Sequence, residues 1–88
     1  MIDLTNINDV KAVHQNIRTT FDTPQGKEVM KFLEQACGWY ESIFDPDSRD
    51  RILINAGRRE VVATIKTFLN QPPEQIVVMA EQKEQRHG

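Results

Sequence analysis

Two histidines, one cysteine and thirteen acidic side chains are the groups in this 88-residue chain from which a reaction centre could be made. Their spacing makes none. His14 falls within an apolar helical stripe and His87 in a polar tail, too far apart in kind and place to close around a metal. A satisfied, half-buried imidazole is the expected state of His14. Cys37 lies between Ala36 and Gly38 with no base beside it, which predicts a small packed thiol, not a nucleophile. A single cysteine also leaves no internal disulfide and fits a reducing compartment. Asp45 and Asp47 flank Pro46 just ahead of Ser48, a composition that caps and reverses chains. General acid–base chemistry needs a cleft, and three helices in a chain this short rarely enclose one. Gly26 and Gly57 follow no strand, so neither belongs to a phosphate-cradling loop. The expectation is a non-enzymatic protein with no catalytic residue, metal, cofactor or small-molecule substrate.

Residues suited to binding are easier to find. Arg49, Arg51, Arg58, Arg59 and Lys66 make one stretch basic, against Asp50 and Glu60. They project in several directions, and the net charge of −2 argues against nucleic acid as the partner. At 100° per residue, Arg58 lies about 40° from Ile54 and about 60° from Val61, inside an apolar stripe. A guanidinium there must reach water or a carboxylate, for which Asp22, Glu41, Asp45 and Asp47 are the candidates. Arg59 projects the other way, in line with Lys66, and is expected in solvent. Gly57 in mid-helix predicts close approach of Tyr40 or Trp39, and Gly26 predicts passage of Phe21 or the first helix. Ile76, Val77, Val78, Met79 and Ala80 form an apolar patch before the polar run Glu81–Arg86. Val78 would point away from whatever the others cover. This segment packs either in cis, over a groove between the first and third helices, or in trans on another subunit.

These residues must be held by helices. Thr23 reads as an N-cap with Pro24 at the first helical position, Asp45-Pro46-Asp47-Ser48 as a turn, and Pro72-Pro73 as a stop. Between these breaks, Ile7, Val10, Val13, His14 and Ile17 mark one face of a helix over about Asn6–Thr20, with Phe21 continuing the stripe. Val29, Phe32, Leu33, Ala36, Tyr40 and Ile43 mark a second helix over Thr23–Phe44, its far face carrying Lys27, Lys31, Glu34, Gly38 and Glu41. Ile54, Gly57, Val61, Ile65 and Phe68 mark a third over Ser48–Leu69. A short fourth helix over Glu74–Lys83 precedes a frayed tail. The fold class is all-α: a long antiparallel helical hairpin, each arm about 33 Å at 1.5 Å per residue, with the N-terminal helix packed across it. Residues 1–72 read as one three-helix domain and 73–88 as a C-terminal helix and polar tail. The longest apolar run, Ile76–Ala80, is far too short to span a membrane, and Met1-Ile2-Asp3-Leu4 lacks the pattern of a secretory signal.

Two stretches resemble a known group. Phe21-Asp22-Thr23-Pro24-Gln25-Gly26-Lys27-Glu28-Val29-Met30, with Leu33 following, is similar to the opening of a family of small helical tailed-phage proteins. Ala56-Gly57-Arg58-Arg59-Glu60-Val61-Val62, with Ile65 and Leu69, resembles that family's glycine–arginine–arginine–glutamate block. The likeness covers Phe21–Leu69, a little over half the chain. It implies a phage protein from the head-assembly and DNA-packaging gene cluster, in the virion or in the cytoplasm of the infected bacterium. The implied role is a virion-assembly or packaging accessory that contacts a portal, capsid or terminase component, or itself. A small phage regulator binding a host protein or nucleic acid is the alternative. On this reading Arg58, Arg59, Glu60, Lys66, Ile76, Val77 and Met79 are the partner-binding candidates. Phe21, Gly26, Trp39, Tyr40 and Gly57 are the structural ones.

Overall fold

The computed structural model describes residues 1–85. Four helices follow one another: α1 (Ile7–Phe21), α2 (Pro24–Ala36), α3 (Arg49–Asn70) and α4 (Pro73–Gln85). No strand occurs among the described residues, so the chain is all-α. The helices begin where cap residues supply acceptors for unpaired N–H groups. Asn6 accepts from the N–H groups of Asn8 and Asp9, Thr23 from Gly26, and Ser48 from Arg51. Pro24 opens α2, and Pro73 opens α4 after Gln71 and Pro72 have ended α3. The frayed tail expected beyond α4, with His87, lies outside the described residues.

The second helix is shorter than its periodicity predicts. α2 stops at Ala36, well before Phe44, because Gly38 takes a left-handed φ of 67°. The N–H of Trp39 then donates to Glu34 C=O at 2.8 Å and that of Gly38 to Gln35 C=O at 3.3 Å. This pair of reversed bonds is a Schellman cap, which satisfies the last carbonyls of a helix and turns the chain away. Residues 37–48 run on as turns and irregular chain. The Asp47 N–H bonds Asp45 Oδ1 at 2.9 Å, as the turn composition predicts.

The arms of the hairpin are antiparallel. Glu34 meets Lys66, while further along Ile43 accepts from Asn55 Nδ2 at 3.4 Å. α1 crosses one end of this pair, and Gly26 is what lets it. A Cβ at Gly26 would run into the carbonyl of Thr20 and the backbone of Phe21. α4 runs back along α3, with Lys83 Nζ 3.6 Å from Glu60 Oε1. Val10, Phe68 and Ile76 form the interior, flanked by Val13, Ile17 and Val77. The break at Pro72-Pro73 is therefore a reversal within one packed body. His14 is half-buried and satisfied, its Nε2–H donating to the Gln71 carbonyl at 3.0 Å.

The apolar stripes of the hairpin are not the faces it buries. On α2 the interior takes Gly26, Met30 and Glu34, while Val29 and Phe32 stay 49% and 66% exposed. On α3 it takes Val62 and Phe68, while Ile54 and Val61 stay 59% and 57% exposed. The stripes that mark these two helices in the sequence are thus not the seam between them. α1 and α4 crowd one end of α3, so the arms rotate to serve them. The molecule is a slab of 44 × 41 × 21 Å, two helix layers thick. Its radius of gyration is 14.9 Å, against about 12 Å for a compact chain of this length.

Candidate protein-contact surface

The Schellman cap delivers Trp39 and Tyr40 to one side of the antiparallel pair. There Arg59 Cζ stands 4.9 Å and Lys66 Nζ 4.8 Å from the centroid of the half-buried Trp39 ring. Cations over an indole face are attracted by its quadrupole. Arg59 is therefore half-buried against the ring, not free in solvent, and its Nε is buried without a hydrogen-bond partner. Lys66 also pairs with the buried Glu34 at 3.5 Å. The Tyr40 hydroxyl donates to the same carboxylate at 2.6 Å. That bond holds Glu34 below the ordinary carboxylate range, with Lys66 assisting and burial opposing. In return Glu34 raises Tyr40 above the usual phenol range. Sequence reasoning placed Glu34 on the far face of its helix and missed this centre. The signal was the glycine at 38, which ends a helix and redirects the aromatic pair after it.

Arg58 is exposed, as expected, and pairs with none of the candidate carboxylates. It donates through Nη2 to the Ala36 carbonyl, at the C-terminal end of α2 where the helix dipole favours a cation. Gly57 is not pressed by Tyr40 or Trp39: nothing lies within 4 Å of where its Cβ would be. Glu60 is exposed and pairs with Lys83. Ile76 is a correction, since it is 4% exposed in the interior and offers nothing to a partner. Val77 packs beside it, which puts this segment in cis. Val78 and Met79 remain exposed on α4, and Met79 borders an open apolar groove with Leu4, Thr64, Phe68 and Ala80. Of the predicted partner-binding residues, the fold brings Arg59 and Lys66 together on Trp39 and leaves Glu60 and Met79 outside.

A second surface went unrecognised in the sequence because its residues read as core. In an antiparallel pair, turning in the same sense from the shared seam leads to the same side on both helices. Val29, Ala36 and Phe32 lie about 100–160° from Met30 in one sense, and Ile54, Val61 and Gly57 about 80–140° from Val62 in that sense. The Arg58–Ala36 bond falls on this side, and the Glu34–Lys66 pair on the opposite one. The two stripes thus lie bare on the same side of the pair, Val29 and Phe32 toward the end that α1 covers over Phe68 and Gly26, and Ile54, Gly57 and Val61 toward the other.

A model of the Bbp19-like phage proteins matches residues 17–81, about three quarters of the chain. The chain belongs to that family. Searches of curated proteins and of solved structures find no match.

The span shared with the Bbp19-like proteins reaches beyond Phe21–Leu69 at both ends, into the last turns of α1 and most of α4. It therefore takes in the Trp39 centre, the bare face and the segment that carries Ile76. A Bbp19-like chain is a phage protein. Among its described residues no helix is long and apolar enough to cross a membrane.

Proposed function

We propose that this phage protein is a non-enzymatic accessory of virion assembly or DNA packaging, acting through protein–protein contacts. The supporting observation is the distribution of its apolar side chains. Among the described residues five hydrophobic ones are buried: Val10, Met30, Val62, Phe68 and Ile76. Twelve large ones, from Met1 to Met79, stand in solvent. A protein whose task ended with its own fold would put more of that surface inside, since contiguous exposed apolar area marks interaction sites. Arg59 and Lys66 on Trp39, with Glu60 and Met79 nearby on the outside, are the residues through which a portal, capsid or terminase component would be met. Arginine and tryptophan are the types that concentrate binding energy at such contacts.

The test is binding of the purified chain to each of these phage components, with mass spectrometry of assembly intermediates and finished virions. Retention by one component, weakened by Arg59→Glu, is the expected result. A chain that binds none of them and is absent from every intermediate would sink the reading. Loss of binding that tracks salt steeply and extends to naked DNA would favour a nucleic-acid regulator instead.

A further inference from the structure

We infer that the bare face of the hairpin, centred on Ile54, Gly57 and Val61 and bordered by Val29 and Phe32, is the interface with a second copy of this chain. The inference does not depend on which phage component the protein meets. Three observations carry it.

The first is area. A compact chain of 10.2 kDa exposes about 5,300 Å², whereas this one exposes 6741 Å². The excess is about 1,400 Å² for one chain on that scaling, more than the about 800 Å² that each chain of a standard dimer hides. Val29, Phe32, Ile54 and Val61, with Leu53 at their flank, are each between 49% and 66% exposed. Together they present on the order of 400–500 Å² of apolar surface. A standard interface takes about 800 Å² from each partner, a little over half of it apolar. The face matches one side of such an interface.

The second is Gly57. It sits in the middle of the longest helix, where glycine weakens the helix relative to alanine. Within the chain nothing approaches its missing Cβ, so no internal contact explains it. A notch with an apolar residue three positions before it and another four positions after it suits the close approach of a second helix.

The third is self-complementarity. A two-fold interface requires a patch that fits itself. With the axis at Gly57, an antiparallel α3 from the second copy sets its Val61 against Ile54 and its Ile54 against Val61. The two glycines face each other at the crossing, and Phe32 of each copy lies beyond its Val61 at the rim. No other chemistry is needed on the partner, and Arg58, at the edge of the face, is already held by Ala36.

Sedimentation equilibrium of the full chain should show a dimer that dissociates on dilution. Ile54→Asp and Val61→Asp replace side chains that are exposed in the single chain, so helical content by circular dichroism should be unchanged. Each occurs twice in a two-fold contact and should raise the dimer Kd about a hundredfold or more. Gly57→Cys in a Cys37→Ser background should cross-link to itself on mild oxidation, far faster than Gln82→Cys on the outer side of α4. A strict monomer at hundreds of micromolar, or a dimer that survives both aspartates with no preference for cross-linking at 57, overturns the inference. A monomer that uses Ile54 and Val61 to hold a phage component also overturns it, and gives the face to that component.

Discussion

Two glycines that look alike in the sequence have opposite physical roles. Gly26 has no room for a Cβ, because the end of α1 passes against it. Gly26→Ala should cost about 3 kcal/mol, read as a lower urea midpoint by circular dichroism. Gly57 has open space, so in the single chain the same change should do no harm. Glu34 illustrates what a hydrogen-bonding neighbour makes of an ordinary residue. Its carboxylate is charged in the fold and sits below the ordinary carboxylate range, chiefly through the Tyr40 hydroxyl. A depressed folded pKa adds stability that is present above the unfolded value near 4.5 and lost as pH falls through the lower, folded value. Asp3 contributes to the same acid limb through its bonds from Thr5. Tyr40→Phe isolates the Glu34 part: urea titrations between pH 3 and pH 6 (about the span that brackets this carboxylate) should show a shallower loss on acidification than in the parent chain.

At the scale of elements, local chemistry places the starts of helices well and their ends less well. Asn6, Thr23 and Ser48 cap because a short side chain that accepts from the first turn needs no distant partner. The stop of α2 is equally local, yet apolar residues at 39, 40 and 43 continue the helical period past it and hide it. Gly38 decides the matter through its left-handed φ. Gly38→Ala should cost about 1 kcal/mol and loosen Trp39 from Arg59 and Lys66. The emission maximum of the single tryptophan should shift to the red alongside a lower midpoint.

For the whole molecule, a thin interior implies that few residues hold the slab together. Ile76 joins α4 to Val10 of α1 and Phe68 of α3. Ile76→Ala should cost about 3 kcal/mol, a large part of the roughly 4–13 kcal/mol available to a chain this long. Thermal unfolding monitored at 222 nm should fall steeply or lose its folded baseline. The same thinness gives the chain a reason to associate, since the side chains that would thicken the interior lie on the outer face of the hairpin.

Helix class, the caps at Thr23 and Ser48, the turn at Asp45–Ser48 and the stop at Pro72-Pro73 were all present in the amino-acid order, because each depends on residues a few positions apart. Periodicity also located the apolar stripes on the second and third helices. Which stripe would face inward was decided only in three dimensions, where α1 and α4 compete for the end of α3 and turn Met30 and Val62 to the seam in place of Val29, Phe32, Ile54 and Val61. Hydrophobic patterning states that a face avoids water. It does not state whether the cover comes from the same chain, and that choice depends on how much surface the other helices can reach.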